Sequence, residues 1–239
     1  MPEKKQSKWG LYVAAAVVLI AVLVGVIGLL TSRGRGQAQP APAASASTHP
    51  LATASSTPTD GPCNAPAGTM TAAPSDIKWV TSAGISWVTS PSLGPTSKKD
   101  GFPVCFSQSP VGAALAATTY GFESYKLNAY DVDQFYVVPS AGKTKLLSQD
   151  HSSGETAAQD QQTFLSNGLS LAGFRIDQYT STSAYVEIVI RQPDAATGYR
   201  GIPVSLTWTA GDWRVEVGSD GTFPPAVDVN AGQFTQWSK

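Results

Sequence analysis

Apolar residues are concentrated in one unbroken run near the start of the chain. The run covers Gly10 to Leu30 and contains no charged residue and no proline. A helix of about 20 apolar residues is long enough to cross bilayer hydrocarbon, and it satisfies its own backbone hydrogen bonds there. The pattern therefore predicts a transmembrane helix over residues 10–30, with the span itself running from Leu11 to Leu30.

Charges on either side of this run predict its orientation. Lys4, Lys5 and Lys8 precede the run, and Arg33 and Arg35 follow it. Together with the N-terminal amine, this bias favours a cytoplasmic N-terminus and an extracellular remainder. A cleaved signal peptide is the alternative, but the apolar regions of signal peptides are about 7–15 residues long. The two arginines also resemble a stop-transfer flank, so an uncleaved anchor is the favoured interpretation.

A compositional break follows the apolar run. Gln37 to Asp60 consists almost entirely of Ala, Ser, Thr and Pro, without an aromatic residue. Such a segment buries too little apolar surface to offset its ordering entropy, so we expect a disordered or extended linker with a reach on the order of 70 Å. The predicted organisation is a cytoplasmic tail (1–9), a transmembrane helix (10–30), a linker (31–60) and an extracytoplasmic domain (61–239).

The first part of the domain shows extended patterns. Ile77 to Thr89 contains two tryptophans eight residues apart and predicts a partly buried, extended segment with a bend at Ala83-Gly84. The Pro-, Gly- and Ser-rich stretch after it predicts a loop with an exposed tip at Lys98 to Asp100. Phe102 to Phe106 is short and apolar, which favours a strand.

Helical patterns follow. Ser109 is a preferred N-cap and Pro110 is tolerated at the first helical position, so these two residues predict the start of the clearest helix. Apolar residues then recur at helical spacing through VGAALAATTYGFESYKL. A second helix is predicted at Val132 to Val138, and a third at Glu155 to Leu171.

From Gly173 the hydrophobic period changes to two. Alternating apolar positions predict four strands, in GFRIDQYT, AYVEIVIRQ, IPVSLTW and WRVEV. In the second of these, Val186 and Ile188 face the core and Glu187 faces the side nearer to solvent. Alternation of this kind is typical of antiparallel strands with one buried face. The short link Thr209 to Asp212 contains Gly and predicts a tight hairpin.

Helices followed by a meander of strands indicate an α+β domain. We expect the helices to cover one face of a curved antiparallel sheet, as in the cone-shaped nuclear-transport-factor-like or cystatin-like class. Domains of that class often enclose a pocket, which Phe122, Trp208 and Trp213 would line here. Plain core is the favoured interpretation of these three aromatics.

Charge and cysteine content change the picture of partners and compartment. From Gly61 onward the chain has eleven Lys and Arg against fifteen Asp and Glu, so a basic stripe for nucleic acid is not expected. Cys63 and Cys105 both lie on the predicted outer side, where disulfides form. A bridge between them would close a loop of roughly 43 residues, worth about 4 kcal/mol in the chain-entropy model. We favour this bridge over two buried free thiols.

Candidate catalytic and metal-binding residues are few. His151 stands between Asp150 and Ser152, but a catalytic triad is assembled from separated segments, so this trio is expected in a surface loop between two helices. Four aspartates could be imagined around a cation: Asp131, Asp133, Asp150 and Asp160. They lack the spacing of a calcium loop and are expected to be caps and solvated surface. The sequence also lacks a phosphate loop, GxSxG and HExxH, so we expect no enzyme, metal or cofactor.

Three stretches of the sequence resemble a known family. WVTSPSLGPTSKKDG, SQSPVGAALAA and LTWTAGDWRVEV are similar to segments of membrane-anchored proteins of actinobacterial mobile elements. The resemblance covers roughly Trp79 to Val217 and the anchor topology. The soluble domains of those proteins are similar to the extracytoplasmic domain of the type IV secretion assembly subunit. The cysteine pair and the acidic tail after Gly218 depart from the pattern.

The resemblance implies a scaffold subunit of a DNA-transfer or secretion apparatus, with no catalytic residue. Its expected partners are the lipid bilayer, other membrane-bound transfer or secretion proteins, and its own copies. The alternative is an extracellular module on a tether that binds a small ligand or a cell-wall component. The two hypotheses differ in whether a small ligand changes the thermal stability of the domain.

Overall fold

The computed structural model describes Cys63 and residues 66–237. The predicted membrane span from Leu11 to Leu30 and the predicted linker lie outside these residues. Within the described part of the chain, no helix has both the length and the apolar character needed to cross a membrane.

The described residues form an α+β structure in which, along the chain, four helices come between two groups of strands. Four short strands come first: β1 (Lys78–Ser82), β2 (Ile85–Thr89), β3 (Ser97–Lys99) and β4 (Phe102–Val104). Four helices follow: α1 (Pro110–Glu123), α2 (Ala129–Tyr136), α3 (Ala141–Ser153) and α4 (Ala157–Ser166). The remaining strands are β5 (Ser170–Tyr179), β6 (Ser183–Arg191), β7 (Tyr199–Thr209), β8 (Asp212–Glu216), β9 (Val227–Asp228) and β10 (Thr235–Gln236).

The main sheet is antiparallel and curved, with strand order β10-β5-β6-β7-β8. β9 pairs with β7 beyond the end of β8, and β5 carries two register shifts against β6. Helix α1 packs across β5 to β8, and Leu115, Val186 and Leu206 belong to the same buried cluster. The predicted α+β class and curved antiparallel sheet are confirmed.

Three hairpins are built on the same two-residue turn. Residues Ala83-Gly84, Asp100-Gly101 and Ala210-Gly211 connect β1 to β2, β3 to β4 and β7 to β8. In each turn both residues have positive φ, from 48° to 89°. This conformation matches the twist of antiparallel strands and favours glycine at the second position. The predicted bend and the predicted tight hairpin are confirmed, whereas β3 occupies residues that were predicted to be loop.

Helix α1 is buried on almost every side, and its sequence shows why. Every residue except Tyr120 and Gly121 is buried. The Ser109 hydroxyl accepts a 3.0 Å hydrogen bond from the Gly112 amide, which confirms the predicted N-cap. A Cβ atom at Gly112 would collide with the Ser107 carbonyl oxygen, so only glycine allows this approach. Small residues thus let the helix sit among the sheet, the β1–β2 hairpin and the β4–α1 loop.

The other helices differ from prediction at their boundaries. Asn128 caps α2, so this helix begins earlier than predicted, and α4 is shorter than predicted because β5 already begins at Ser170. Helix α3 was not predicted. It contains few apolar residues, but Ser140 caps its start and Gly154, with φ of 66°, ends it.

The second face of β6 is covered rather than open to solvent. Glu187 and Val189 are both buried, although alternation placed them on the solvent side. The C-terminal segment returns over the sheet, where β9 pairs with β7 and β10 pairs with β5. The buried Glu187 carboxylate forms a 2.6 Å ion pair with the Arg175 guanidinium, which supplies the opposite charge that a buried carboxylate needs. The acidic tail is therefore part of the folded domain.

Candidate functional site

The structure pairs Cys63 and Cys105 in a disulfide, as the sequence predicted. The bridge spans 42 positions in sequence and ties the first described residue to the loop between β4 and α1. Cys105 is buried and has a positive φ of 76°. A positive φ is uncommon for a residue other than glycine, so contacts around Cys105 must hold its backbone in this conformation.

A buried aspartate provides that restraint. Asp212 is 4% exposed and accepts three backbone hydrogen bonds, from Cys105 at 2.9 Å and from Phe106 and Trp213 at 3.0 Å each. The Trp213 indole N–H donates to the Ser107 carbonyl oxygen at 2.9 Å. We call these five residues the Asp212 hub. It joins the β7–β8 hairpin to the β4–α1 loop and to the disulfide.

The hub explains the GDWR stretch of the sequence. Gly211 forms the turn, Asp212 and Trp213 hold the neighbouring loop, and the Arg214 guanidinium lies 5.0 Å from the centre of the Phe135 ring. Burial raises the pKa of the Asp212 carboxyl, while the amides of Cys105 and Phe106 oppose that increase. Each side chain of the stretch therefore has a structural partner.

The three aromatics considered as pocket lining have different surroundings. Phe122 and Trp213 are buried in the core, in agreement with the favoured interpretation. Trp208 is half-buried and packs against that core, with its ring 5.2 Å from the Trp213 ring. None of the three lines the surface depression described below.

A second group of acids, one buried and one half-buried, lies between the helices. Asp133 on α2 is 5% exposed and accepts a 2.6 Å hydrogen bond from the Tyr120 hydroxyl on α1. The Asp150 carboxyl on α3 lies within hydrogen-bonding reach of Asp133. We call Tyr120, Asp133 and Asp150 the aspartate cluster. It connects three helices through side chains alone.

The proton affinity of the cluster follows from burial and from its charges. Burial raises the pKa of Asp133 to about 7, and the neighbouring Asp150 contributes to the rise. The Tyr120 hydrogen bond and Lys143 oppose it. Burial likewise raises the pKa of Asp150, and it raises the pKa of Tyr120 far above its ordinary value. At neutral pH a carboxyl of the cluster therefore retains a proton in part of the molecules.

Lys143 is a cation whose charge acts on Asp133, but its ammonium group donates to other acceptors. Its Nζ donates to the carbonyl oxygens of Gln134 at 2.6 Å and Val137 at 2.8 Å. These carbonyls lie at the C-terminal end of α2, where unpaired acceptors and the helix dipole favour a cation. Burial lowers the pKa of Lys143, and Asp133 acts in the opposite direction. Lys143 therefore caps the C-terminal end of α2 and only partly compensates the negative charge of the two aspartates.

The structure corrects two predictions about these acids. Asp133 is buried, so it is not solvated surface, and the N-caps are Asn128, Ser140 and Thr156 instead of the aspartates. The trio around His151 lies in the last turn of α3 and not in a loop. The Ser152 hydroxyl donates to the Gln149 carbonyl oxygen of the same helix.

An open depression of about 410 Å³ lies outside the cluster, between α2, α3 and the start of α4. Four acidic residues line it: Asp131, Asp150, Glu155 and Asp160. Tyr130, which is 41% exposed, and His151 also line it, with ring centres 6.3 Å apart. Across Cys63 and residues 66–237, no group of three or more His, Cys, Asp or Glu side chains is arranged to hold a metal ion. The depression is thus an acidic surface with an exposed aromatic ring.

Fold and site together define a disulfide-braced α+β domain with a buried carboxyl cluster under an acidic helical surface. The chain belongs to the family described as Domain of unknown function (DUF8175), whose profile matches residues 38–236. The match begins within the predicted linker and extends to β10. No curated protein and no solved structure matches the chain.

Proposed function

We propose that the protein is a non-enzymatic scaffold or assembly subunit, held in the cell membrane by the predicted helix at residues 10–30. Its outer domain would work in a conjugative-transfer or type IV secretion-like apparatus and would belong to the nuclear-transport-factor-like or cystatin-like class. The resemblance of residues 79–217 to proteins of mobile elements supports a role in such an apparatus. The α+β architecture supports the fold class.

The Cys63–Cys105 bridge is the observation that carries the extracytoplasmic placement. Disulfides persist in oxidising compartments and are rare in the cytosol. The bridge also fastens the domain at the point where the predicted linker would reach it. A tether that pulls at Cys63 would act on the Asp212 hub, because the Cys105 amide is held by Asp212.

The acidic helical surface supports a contact with another subunit. Tyr130 and Leu127 are exposed large apolar side chains on or next to α2. Three carboxylates near Tyr130 give this surface a negative charge: Asp131, Glu155 and Asp160. An exposed aromatic ring with surrounding acids fits a partner that presents a basic surface, since complementary charge promotes specific association. We expect that partner to be another membrane-bound protein of the apparatus.

Topology is tested first, in intact cells. Asp194 is exposed in the β6–β7 loop, so the variant Asp194→Cys should react with a membrane-impermeant maleimide added outside. The variant Glu3→Cys, in the predicted cytoplasmic tail, is the matched control and should react only after lysis. The reverse labelling pattern would contradict the proposed orientation.

The partner is tested with a photo-crosslinking amino acid in the full-length chain. Placed at Tyr130, it should form an adduct with another membrane protein or with a second copy of the chain. Placed at Lys98, an exposed residue of strand β3, it should form none. Equal adducts at both positions, or none at Tyr130, would count against the acidic surface as the contact.

The alternative function is a tethered binding module. The depression favours it, because about 410 Å³ falls within the size range of small-ligand pockets. Soluble muropeptides from digested cell wall would then raise the unfolding temperature of the full-length protein, and Tyr130→Ala would abolish that shift. An unchanged unfolding temperature in the wild type would remove this alternative.

A further inference from the structure

The aspartate cluster contains a contact that is favourable only with an additional proton. Asp150 Oδ2 is buried and receives no hydrogen bond from the described residues. The Asp133 carboxyl lies within hydrogen-bonding reach of the Asp150 carboxyl, and it too is an acceptor when it is ionised. Two ionised carboxylates cannot bond to each other, whereas one proton between them supplies the missing donor.

We propose that Asp133 and Asp150 share one proton, and that this proton holds α3 against α1 and α2. With the proton present, the Tyr120 hydroxyl, Asp133 and Asp150 form a continuous hydrogen-bonded row across three helices. Without it, two negative charges face each other, that of Asp133 buried and that of Asp150 half-buried, and α3 loosens. The packing of α3 against α1 and α2, which we call the helical layer, thereby becomes sensitive to pH. This inference does not depend on the proposed function.

The charged groups around the pair set the direction of the response. Tyr120 from α1 donates to Asp133, and Lys143 on α3 is the only cation that lowers the pKa of Asp133 among the described residues. Arg214 on β8 acts on Lys143 rather than on the pair. Four further ionisable side chains line the depression together with Asp150: Asp131, His151, Glu155 and Asp160. Repulsion between the two aspartates is therefore only partly compensated.

The weak attachment of α3 makes it the helix that responds. Only Gly142 and Leu146 are buried in α3, whereas α1 is buried along almost its whole length. A helix held by few apolar contacts opens locally at low cost. Loss of the carboxyl contact should consequently appear in α3 before the sheet is affected.

The sign of the pH effect follows from the raised pKa. An acid whose pKa is higher in the folded state contributes stability below its ordinary pKa of 3.8, and this contribution is lost as pH rises through about 7. Local opening of α3 should therefore increase by up to about tenfold per pH unit between pH 5 and 7. Above this window the opening should become independent of pH.

Hydrogen exchange of the full-length protein in detergent tests the proposal. Asp133→Asn keeps an acceptor for Tyr120 and gives Asp150 a permanent donor, so its α3 amides should show the same opening equilibrium at pH 5 and pH 7. Comparison at each pH removes the intrinsic pH dependence of exchange. Asp194→Asn, an exposed aspartate on the β6–β7 loop, is the matched control and should behave like the wild type.

Identical protection of α3 in wild type and Asp133→Asn at both pH values would overturn the proposal. Should the variant fail to fold, infrared titration of the wild type gives an independent answer. A protonated carboxyl that persists above pH 5.5 supports the shared proton. Its absence at that pH contradicts it.

Discussion

The Asp212 hub and the aspartate cluster both contain an aspartate that is buried to about the same degree, at 4% and 5% exposure. Asp212 receives three backbone amides, whereas Asp133 receives one phenol and faces a second carboxyl. Burial raises the pKa of both groups, but at Asp212 the amide donors oppose the increase. The number of donors around a buried acid therefore decides whether it braces the fold or responds to protons.

The two regions also differ in how much apolar packing surrounds them. The hub lies against α1 and the sheet, and Trp213 and Phe106 are among the most deeply buried side chains. Around the cluster, α4 buries only Phe164 and α3 buries only Gly142 and Leu146. Damage to the hub should thus unfold the whole domain, whereas damage to the helical layer should remain local.

The largest effect is expected from Trp213→Ala, which removes the central side chain of the hub. Deletion of a buried tryptophan typically costs about 3–5 kcal/mol, and the Ser107 carbonyl would also lose one of its two donors, keeping only the Ser109 amide. Chemical denaturation of the full-length protein in detergent measures the loss. Trp208→Ala is the control and should cost clearly less, since Trp208 is half-buried. Wild-type stability in Trp213→Ala would contradict the position of β8 in the core.

Removal of the disulfide should have the next largest effect. Closure of a loop of 42 positions is worth about 4 kcal/mol in the chain-entropy model, an upper value if the reduced chain retains structure. We expect the double variant Cys63→Ser, Cys105→Ser to unfold at lower denaturant concentration by a corresponding amount. Reductant should destabilise the wild type to the same level and leave the double variant unchanged. A wild type that is insensitive to reductant would show that the bridge contributes nothing.

A smaller loss is expected from Asp212→Asn. The remaining carbonyl oxygen can still accept from Phe106 and Trp213, but the amide group would turn a donor toward the Cys105 N–H. One buried hydrogen bond is lost and two donors face each other, which costs about 1–3 kcal/mol. Asp194→Asn, which makes the same change on the surface, should be neutral within about 0.5 kcal/mol. Equal stabilities of the two variants in denaturant would refute the bracing role of Asp212.

Most of the Asp212 hub could be predicted from the sequence, whereas the aspartate cluster could not. The signals are local: Gly at the second turn position, a strand with Trp213 in phase with Val215, and a pair of cysteines on the predicted outer side. The turn, the strand and the disulfide that they predicted are all present. The partner of Asp212 was not predictable, because Cys105 and Phe106 lie more than 100 positions away in sequence.

The aspartate cluster was not predicted because the sequence signals for α3 and for the burial of Asp133 are weak. Helix α3 lacks an apolar stripe, yet Ser140 and Gly154 are ordinary start and stop residues that a search for caps would have found. Asp133 follows the buried Val132, so its burial on α2 depends on where α1 and α3 lie. A contact among three helices is a property of tertiary packing, which hydrophobic periodicity does not determine.

The smallest effect is expected from Ser140→Ala at the start of α3. The Ser140 hydroxyl accepts a 3.0 Å hydrogen bond from the Lys143 amide, and loss of an N-cap typically costs about 1 kcal/mol. Since α3 is held by few buried residues, faster hydrogen exchange should be confined to residues 141–153, with little change in the unfolding of the sheet. Ser152→Ala makes the same chemical change on the exposed side of α3 away from the cap and should leave exchange unaltered. If Ser140→Ala instead lowers the stability of the sheet as much as Asp212→Asn does, then α3 is part of the cooperative core. The distinction between a bracing region and a responsive region would then fail.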